Sequence, residues 1–215
     1  MPEHGLRTIF VGGDRRNAGK TLVSCFLLRS LPGAAAVKIT CCRTHGGCPR
    51  NTPCGVCQAL AVPFALIDDH DLLATRGKDT ARLMEAATGP VLWLQAKERF
   101  LAEGLGAAFS RFPANGIVVV EGNAAFRAQR PSVGLLVVGH GDASIRPSVV
   151  ATLGSVDAVI RNVRGGGSPP TAPRGLPSDV RVFSFDAAHP KGDPEAQAFI
   201  GWIRERVGLA AVPQT

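Results

Sequence analysis

No stretch of this chain approaches the roughly 20 consecutive apolar residues that a bilayer-spanning helix needs. Its opening residues, MPEHGLRT, lack the apolar segment of a secretory leader, so a cytoplasmic protein without membrane partners is the expectation. Basic blocks interleaved with aromatics are also missing. Aromatics make up only 6% and the arginines are scattered, so nucleic acid is not an expected partner. No internal repeat is visible, which argues against a solenoid or propeller. What remains is a globular composition: 215 residues, 45% of them apolar, suit one α/β domain with a sizeable core and would be cramped for two. A net charge of +7 favours an anionic partner, and a nucleotide is one.

The chain is organised around Phe10–Leu22, FVGGDRRNAGKTL. Leu6, Ile9, Phe10 and Val11 read as a strand, Gly12-Gly13 as a turn, and LVSCFLLRSL after Gly19-Lys20-Thr21 as an amphipathic helix. Strand, glycine loop and helix N-terminus form a phosphate loop. Its backbone N–H groups face the anion, Lys20 reaches the β/γ-phosphates and the Thr21 hydroxyl ligates Mg²⁺. Gly13, Arg15, Asn17, Ala18, Gly19, Lys20, Thr21 and Leu22 are therefore the expected nucleotide contacts. The match to G-x-x-x-x-G-K-[ST] is imperfect, because Asp14 holds the first glycine's place.

Further strands are read at 34–40, 62–68, 90–96, 116–123, 134–140, 156–162 and 180–186, and helices at 21–31, 78–88, 98–112 and 195–207. Runs apolar on both faces that alternate with helices predict an α/β fold with a mostly parallel sheet covered on both sides. Residues 164–178, RGGGSPPTAPRGLPS, read as a flexible insert. In such sheets ligands bind beyond the carboxyl ends of the strands. The residues to inspect are thus Thr40-Cys41-Cys42, Asp68-Asp69, Glu121-Gly122-Asn123, His140 and Asn162.

Glu121 ends the run VVVE, where a phosphate-loop enzyme keeps a carboxylate for the Mg²⁺ shell or the attacking water. Asp68 and Asp69 end another strand, where one could hold Mg²⁺ through water and Asp68 is a second catalytic candidate; helix N-capping by Asp69 or Asp71 is the competing reading. Asn162 follows the strand that in guanine-specific proteins ends in Asn-Lys-x-Asp. Here the tetrad is Asn162-Val163-Arg164-Gly165, without the aspartate that grips guanine, so GTP and ATP both stay open. Arg15 sits five residues before Lys20, the offset from which a lysine of dimeric nucleotide switches reaches the partner's phosphates; a solvated loop charge is the competing reading. His140 reads as structural rather than nucleotide-binding.

The chain has six cysteines, and structural disulfides are not expected of a cytosolic protein. Cys25 falls on the core face of the first helix; the others cluster between Cys41 and Cys57. Cys42-x5-Cys48-x5-Cys54-x2-Cys57, with Cys41 as an alternate ligand and His45 alongside, is a metal-ligand spacing in a loop with little core of its own. Thiolates suit Zn²⁺ or an iron–sulfur cluster, and the uneven spacing matches neither a zinc ribbon nor a ferredoxin run. A redox-active thiol pair and unpaired surface thiols are the competing readings.

Several of these stretches together resemble the MobB family, the molybdopterin-guanine dinucleotide biosynthesis adaptors of the dimeric SIMIBI-type P-loop class. Val37-Lys38-Ile39-Thr40-Cys41-Cys42 is similar to that family's strand ending Lys-His-Thr-His. Ile67-Asp68-Asp69-His70 and Gly77-Lys78-Asp79-Thr80 resemble its Asp-x-x-x-x-Gly-Lys-Asp-Ser segment, and Val119-Val120-Glu121-Gly122 its Val-Glu-Gly. The resemblance spans about residues 6–165 and implies a homodimer that binds a guanine nucleotide, hydrolyses it slowly and assists cofactor maturation. Cysteines in place of the histidines, the inserted cysteine loop and the incomplete tetrad suggest a relative specialised for a different metal centre. The expectation is a slow GTP or ATP hydrolase, with Lys20, Glu121 and Asp68 as catalytic residues, coupled to a cysteine-held metal and a client metalloenzyme or cofactor-synthesis protein. The alternatives are an ATP-dependent small-molecule transferase resembling dethiobiotin synthetases, and a non-catalytic metal- or redox-responsive module.

Overall fold

The computed structural model describes residues 5–42, 62–140, 147–150, 152–165 and 167–210. Among these, eight strands form one sheet in the order β3-β4-β2-β5-β1-β6-β7-β8. The strands are β1 (Arg7–Gly13), β2 (Ala35–Cys42), β3 (Phe64–Ile67), β4 (Val91–Lys97), β5 (Ile117–Glu121), β6 (Val133–Val138), β7 (Ala158–Asn162) and β8 (Arg181–Phe185). All neighbours run parallel except β3, which pairs antiparallel with β4, Phe64 opposite Ala96 and Ile67 opposite Trp93. The α-helices are α1 (Lys20–Ser30), α2 (His70–Leu73), α3 (Asp79–Ala86), α4 (Leu101–Phe109), α5 (Ala125–Ala128), α6 (Pro147–Val150) and α7 (Pro194–Arg206). This is the α/β, mostly parallel architecture that the sequence predicts, consistent with a P-loop NTPase-like class.

The continuous apolar runs explain why both faces are covered. Along β1, Ile9 and Val11 point to one core and Phe10 to the other; along β5, Ile117 and Val119 oppose Val118 and Val120. The first core takes in buried residues of α1, α3 and α7, and the second those of α4 and α5. Helix α1 lies over the sheet's centre, with Val23, Cys25, Phe26, Leu27 and Leu28 all buried. Against α4, Gly104 permits a close approach: a Cβ there would stand 2.8 Å from Leu94 and 3.2 Å from Phe64.

Local chemistry adjusts several expected boundaries. The helix expected over 98–112 begins as a 3₁₀ turn, Glu98–Phe100, and is α-helical only over Leu101–Phe109. Asp69 N-caps α2 by accepting from Leu72 N–H at 2.9 Å, which is the capping role weighed for it. The described part of 164–178 has no helix or strand, yet Ala172 and Leu176 pack against the second core.

Candidate nucleotide site

Strand β1 runs out at the sheet's carboxyl edge, between β5 and β6, and the chain turns through 14–19 before α1 begins. Two loop residues take left-handed backbone: Asn17 (φ 58°) and Gly19 (φ 107°). Asparagine tolerates that region. Gly19 is required twice over, because a Cβ there would also lie 2.2 Å from Asn162 Nδ2. The first helical bond runs from Val23 N–H to Gly19 C=O (3.0 Å), so the N–H groups of Lys20, Thr21 and Leu22 have no intrahelical acceptor. With the helix dipole behind them, these are donors for a phosphate.

Gly13 and Asp14 hold the loop rather than offer donors. Gly13 N–H donates to Asn123 Oδ1 and its carbonyl accepts from Asn123 Nδ2, both at 2.8 Å. Its missing side chain makes room for Lys20, whose Cγ would lie 2.9 Å from a Cβ. Asp14 does not need a left-handed φ, so its place demands no glycine. Buried at 4% exposure, it accepts from Gly139 N–H (3.2 Å) and from Arg15 Nε (2.7 Å). Arg15 is thereby turned onto its own chain, and it borders a cavity of about 360 Å³ with His140 and Ser168–Thr171. His140 itself is exposed at that cavity's rim.

The electrostatic centre is Glu121, 1% exposed at the end of β5. Its Oε1 accepts from Thr21 Oγ1 at 2.9 Å and from Lys38 Nζ at 2.6 Å. Its Oε2 is buried and has no hydrogen-bond partner among the described residues. The β2–β5 register sets Lys38 directly beside Glu121, and Lys38 Nζ lies 2.6 Å from Asp79 Oδ2 at the start of α3. Burial opposes charge on Lys38, but Glu121 and Asp79 outweigh it and hold the ammonium above its ordinary pKa. Burial likewise works against ionised Asp79, yet the hydrogen bond and charge of Lys38 keep it below the usual carboxyl value. For Lys20 burial prevails over Glu121, and its pKa is lowered.

Hard divalent cations take oxygen ligands. The Thr21 hydroxyl, the orphaned Glu121 Oε2 and the Asp79 carboxylate form such a set, so these residues fit Mg²⁺ at the helix N-terminus. In the sequence Lys38 and Asp79 stand out only as parts of resembling segments. The signal that could have found them is a lysine inside the otherwise apolar AAVKIT, which needs a carboxylate partner once buried.

Asp68, the other expected catalytic carboxylate, lies apart from these residues. Because β3 runs antiparallel to β4, the end of β3 lies at the amino edge of the sheet, opposite the loop between β1 and α1. There Asp68 pairs with Arg111 at 2.7 Å, both side chains more than half exposed. Asn162 does reach the loop, but as a clamp. Its Nδ2 donates to Ala18 C=O (3.0 Å) and its Oδ1 accepts from Ala187 N–H (3.1 Å), with the residue fully buried.

Cys41 and Cys42 end β2 at the same sheet edge, half-buried, with Cys41 packed on the second core. The expected ligands Cys48, Cys54 and Cys57, with His45, lie outside the described residues. Cys25 is a core residue whose thiol burial pushes up to about 11, which makes it unreactive at neutral pH. Comparison with protein-family models and with curated proteins found no match to this chain.

Proposed function

We propose that this chain binds a nucleoside triphosphate with Mg²⁺ and hydrolyses it slowly. The observation that carries the reading is the buried Glu121, bonded to the Thr21 hydroxyl with one oxygen and keeping the other unpartnered, beside three unpaired helix N–H groups. Lys20 and the N–H groups of Lys20, Thr21 and Leu22 hold the phosphates. Bound Mg²⁺ would supply charge neutralisation at the β- and γ-oxygens. Glu121 takes the Thr21 proton in a hydrogen bond, leaving the hydroxyl lone pairs for the cation, and orients water through Oε2. Both ATP and GTP remain open as substrates, since Asn162 spends both polar atoms on backbone.

The cysteine arrangement extends the proposal to a coupled metal centre, Zn²⁺ or iron–sulfur, used in metallocofactor assembly with a client protein. What supports the coupling is that Lys38, at the candidate nucleotide site, and Cys41–Cys42 share one strand. A homodimer, as in the MobB-like proteins that the motifs resemble, completes the proposal; mass measured in solution with and without nucleotide tests it. The cavity beside Arg15 and His140 favours one second reading, a transferase whose acceptor sits next to the phosphates.

The decisive experiment is Lys20→Ala with a fluorescent triphosphate. Binding should fall by at least about a hundredfold, the loss of one charge-assisted contact to phosphate in a partly desolvated site. Unchanged affinity, with the fold intact by circular dichroism, overturns the proposal.

A further inference from the structure

Lys38 is the residue that the nucleotide reading leaves without a task. Its side chain is 16% exposed, and its Nζ lies 2.6 Å from a carboxylate oxygen on either side, Glu121 and Asp79. A carboxylate as buried as Glu121 must be balanced by a nearby positive charge. Two carboxylates and a threonine hydroxyl converging on one point are also the ligand chemistry of a hard divalent cation. The ammonium therefore occupies a position that, without it, is composed as a metal site.

We infer that Lys38 is a specificity-determining residue of this site: its ammonium fills the space between Glu121 and Asp79, so that a divalent cation enters only in company with a triphosphate. The second half of this inference rests on the nucleotide reading; the first half does not.

The charges give the reason. Lys38 already stands between the two carboxylates, so a bare divalent cation would bring two further positive charges against an ammonium held 2.6 Å from each of them. A triphosphate, carrying about four negative charges when ionised, reverses that sum and attracts both the cation and the lysines. The open Oε2 of Glu121 is the oxygen left for the incoming cation or its water while Oε1 keeps Lys38 and Thr21. Asp14, the other buried carboxylate of the loop, is already paired with Arg15 and does not enter the count.

The test uses Mn²⁺ alone, with no nucleotide, because oxygen ligands take it and thiolates bind it poorly. Free Mn²⁺ is read by electron paramagnetic resonance on the full chain and on Lys38→Met, Lys38→Arg and the double variant Lys38→Met/Glu121→Gln. Lys38→Met should bind one Mn²⁺ at least about tenfold more tightly than the wild type, as expected when an adjacent like charge is removed. Lys38→Arg should match the wild type, and the double variant should lose the gain. Equal affinity of wild type and Lys38→Met overturns the inference, as does a gain that survives Glu121→Gln. Thermal melting covers a poorly folding variant: Mn²⁺ should raise the melting temperature of Lys38→Met and leave the wild type unmoved. A Lys38→Met chain indifferent to Mn²⁺ refutes the idea. Since no nucleotide is present, failure here is separate from failure of the Lys20→Ala experiment.

Discussion

Replacing Asn162 by alanine separates two roles that one residue could serve at this edge of the sheet. The side chain is fully buried and joins the loop between β1 and α1, through Ala18 C=O, to the segment after β8, through Ala187 N–H. Alanine removes both partners at once and leaves a buried carbonyl and a buried N–H without hydrogen bonds. Each such orphan costs about 1–3 kcal/mol, so the pair costs about 2–6 kcal/mol. For a chain of this length about 1 kcal/mol moves the melting temperature by about 2–4 °C, which predicts a fall of about 4–24 °C. Asn162→Asp should do little better, since it keeps an acceptor for Ala187 but sets a carboxylate against the Ala18 carbonyl. Differential scanning calorimetry gives the stability, and titration with GTP and ATP gives the affinities. Both nucleotides should weaken together, because the loop proposed to hold the phosphates has lost its tether. A melting temperature within about 2 °C of wild type would refute the clamp. If in addition the ratio of GTP to ATP affinity changed, Asn162 would be reading the base.

Asp68→Ala should leave nucleotide affinity and turnover unchanged and alter stability by less than about 1 kcal/mol, since its pair with Arg111 is exposed. Loss of turnover with an unchanged melt would refute its placement at the far edge of the sheet. Asp79 is held below its ordinary pKa by Lys38, so its stabilisation is present above the unfolded carboxyl range and lost as pH falls through the folded value. Urea unfolding of wild type and Asp79→Asn should therefore show a stability gap near pH 7 that closes on acidification below about pH 4, and a gap independent of pH would refute the ion pair. Lys38 behaves in the opposite sense: its pKa is raised, so its contribution is complete below the unfolded lysine value and disappears as pH rises through the folded one.

Legibility in the sequence depends on whether the cause is local. The turn between β1 and α1 can be read because its glycines act through their own backbone, as the left-handed Gly19 does. The central strands can be read because β1, β5 and β6 are apolar on both faces. VPFALID also reads as a strand, correctly over Phe64–Ile67, but hydrophobic alternation looks the same whichever way a strand runs. Only pairing with β4 sets its direction, and that direction carries Asp68 away from the loop between β1 and α1. Asn162 stands out for its place at a strand end, and the place is right. Its partners, 144 and 25 residues away, are set by how β7 meets the loop and by the path of the chain beyond β8.

Lys38 marks the boundary between these cases. Its position within an apolar strand already states that a buried charge requires an opposite one, and Glu121, ending another apolar strand, states the same requirement with the sign reversed. Two such demands in one parallel sheet are met most economically if the strands are neighbours with the charges in register, as β2 and β5 are. Asp79 then answers a need that this pair leaves unmet. A lysine shared between a fully buried carboxylate and the solvent edge has donors left over, and the N-terminus of α3 supplies the acceptor 41 residues along the chain. Strand direction thus sets Asp68 at the far edge of the sheet, while the carboxylate that stands beside Glu121 is Asp79, held there by the half-buried lysine of β2.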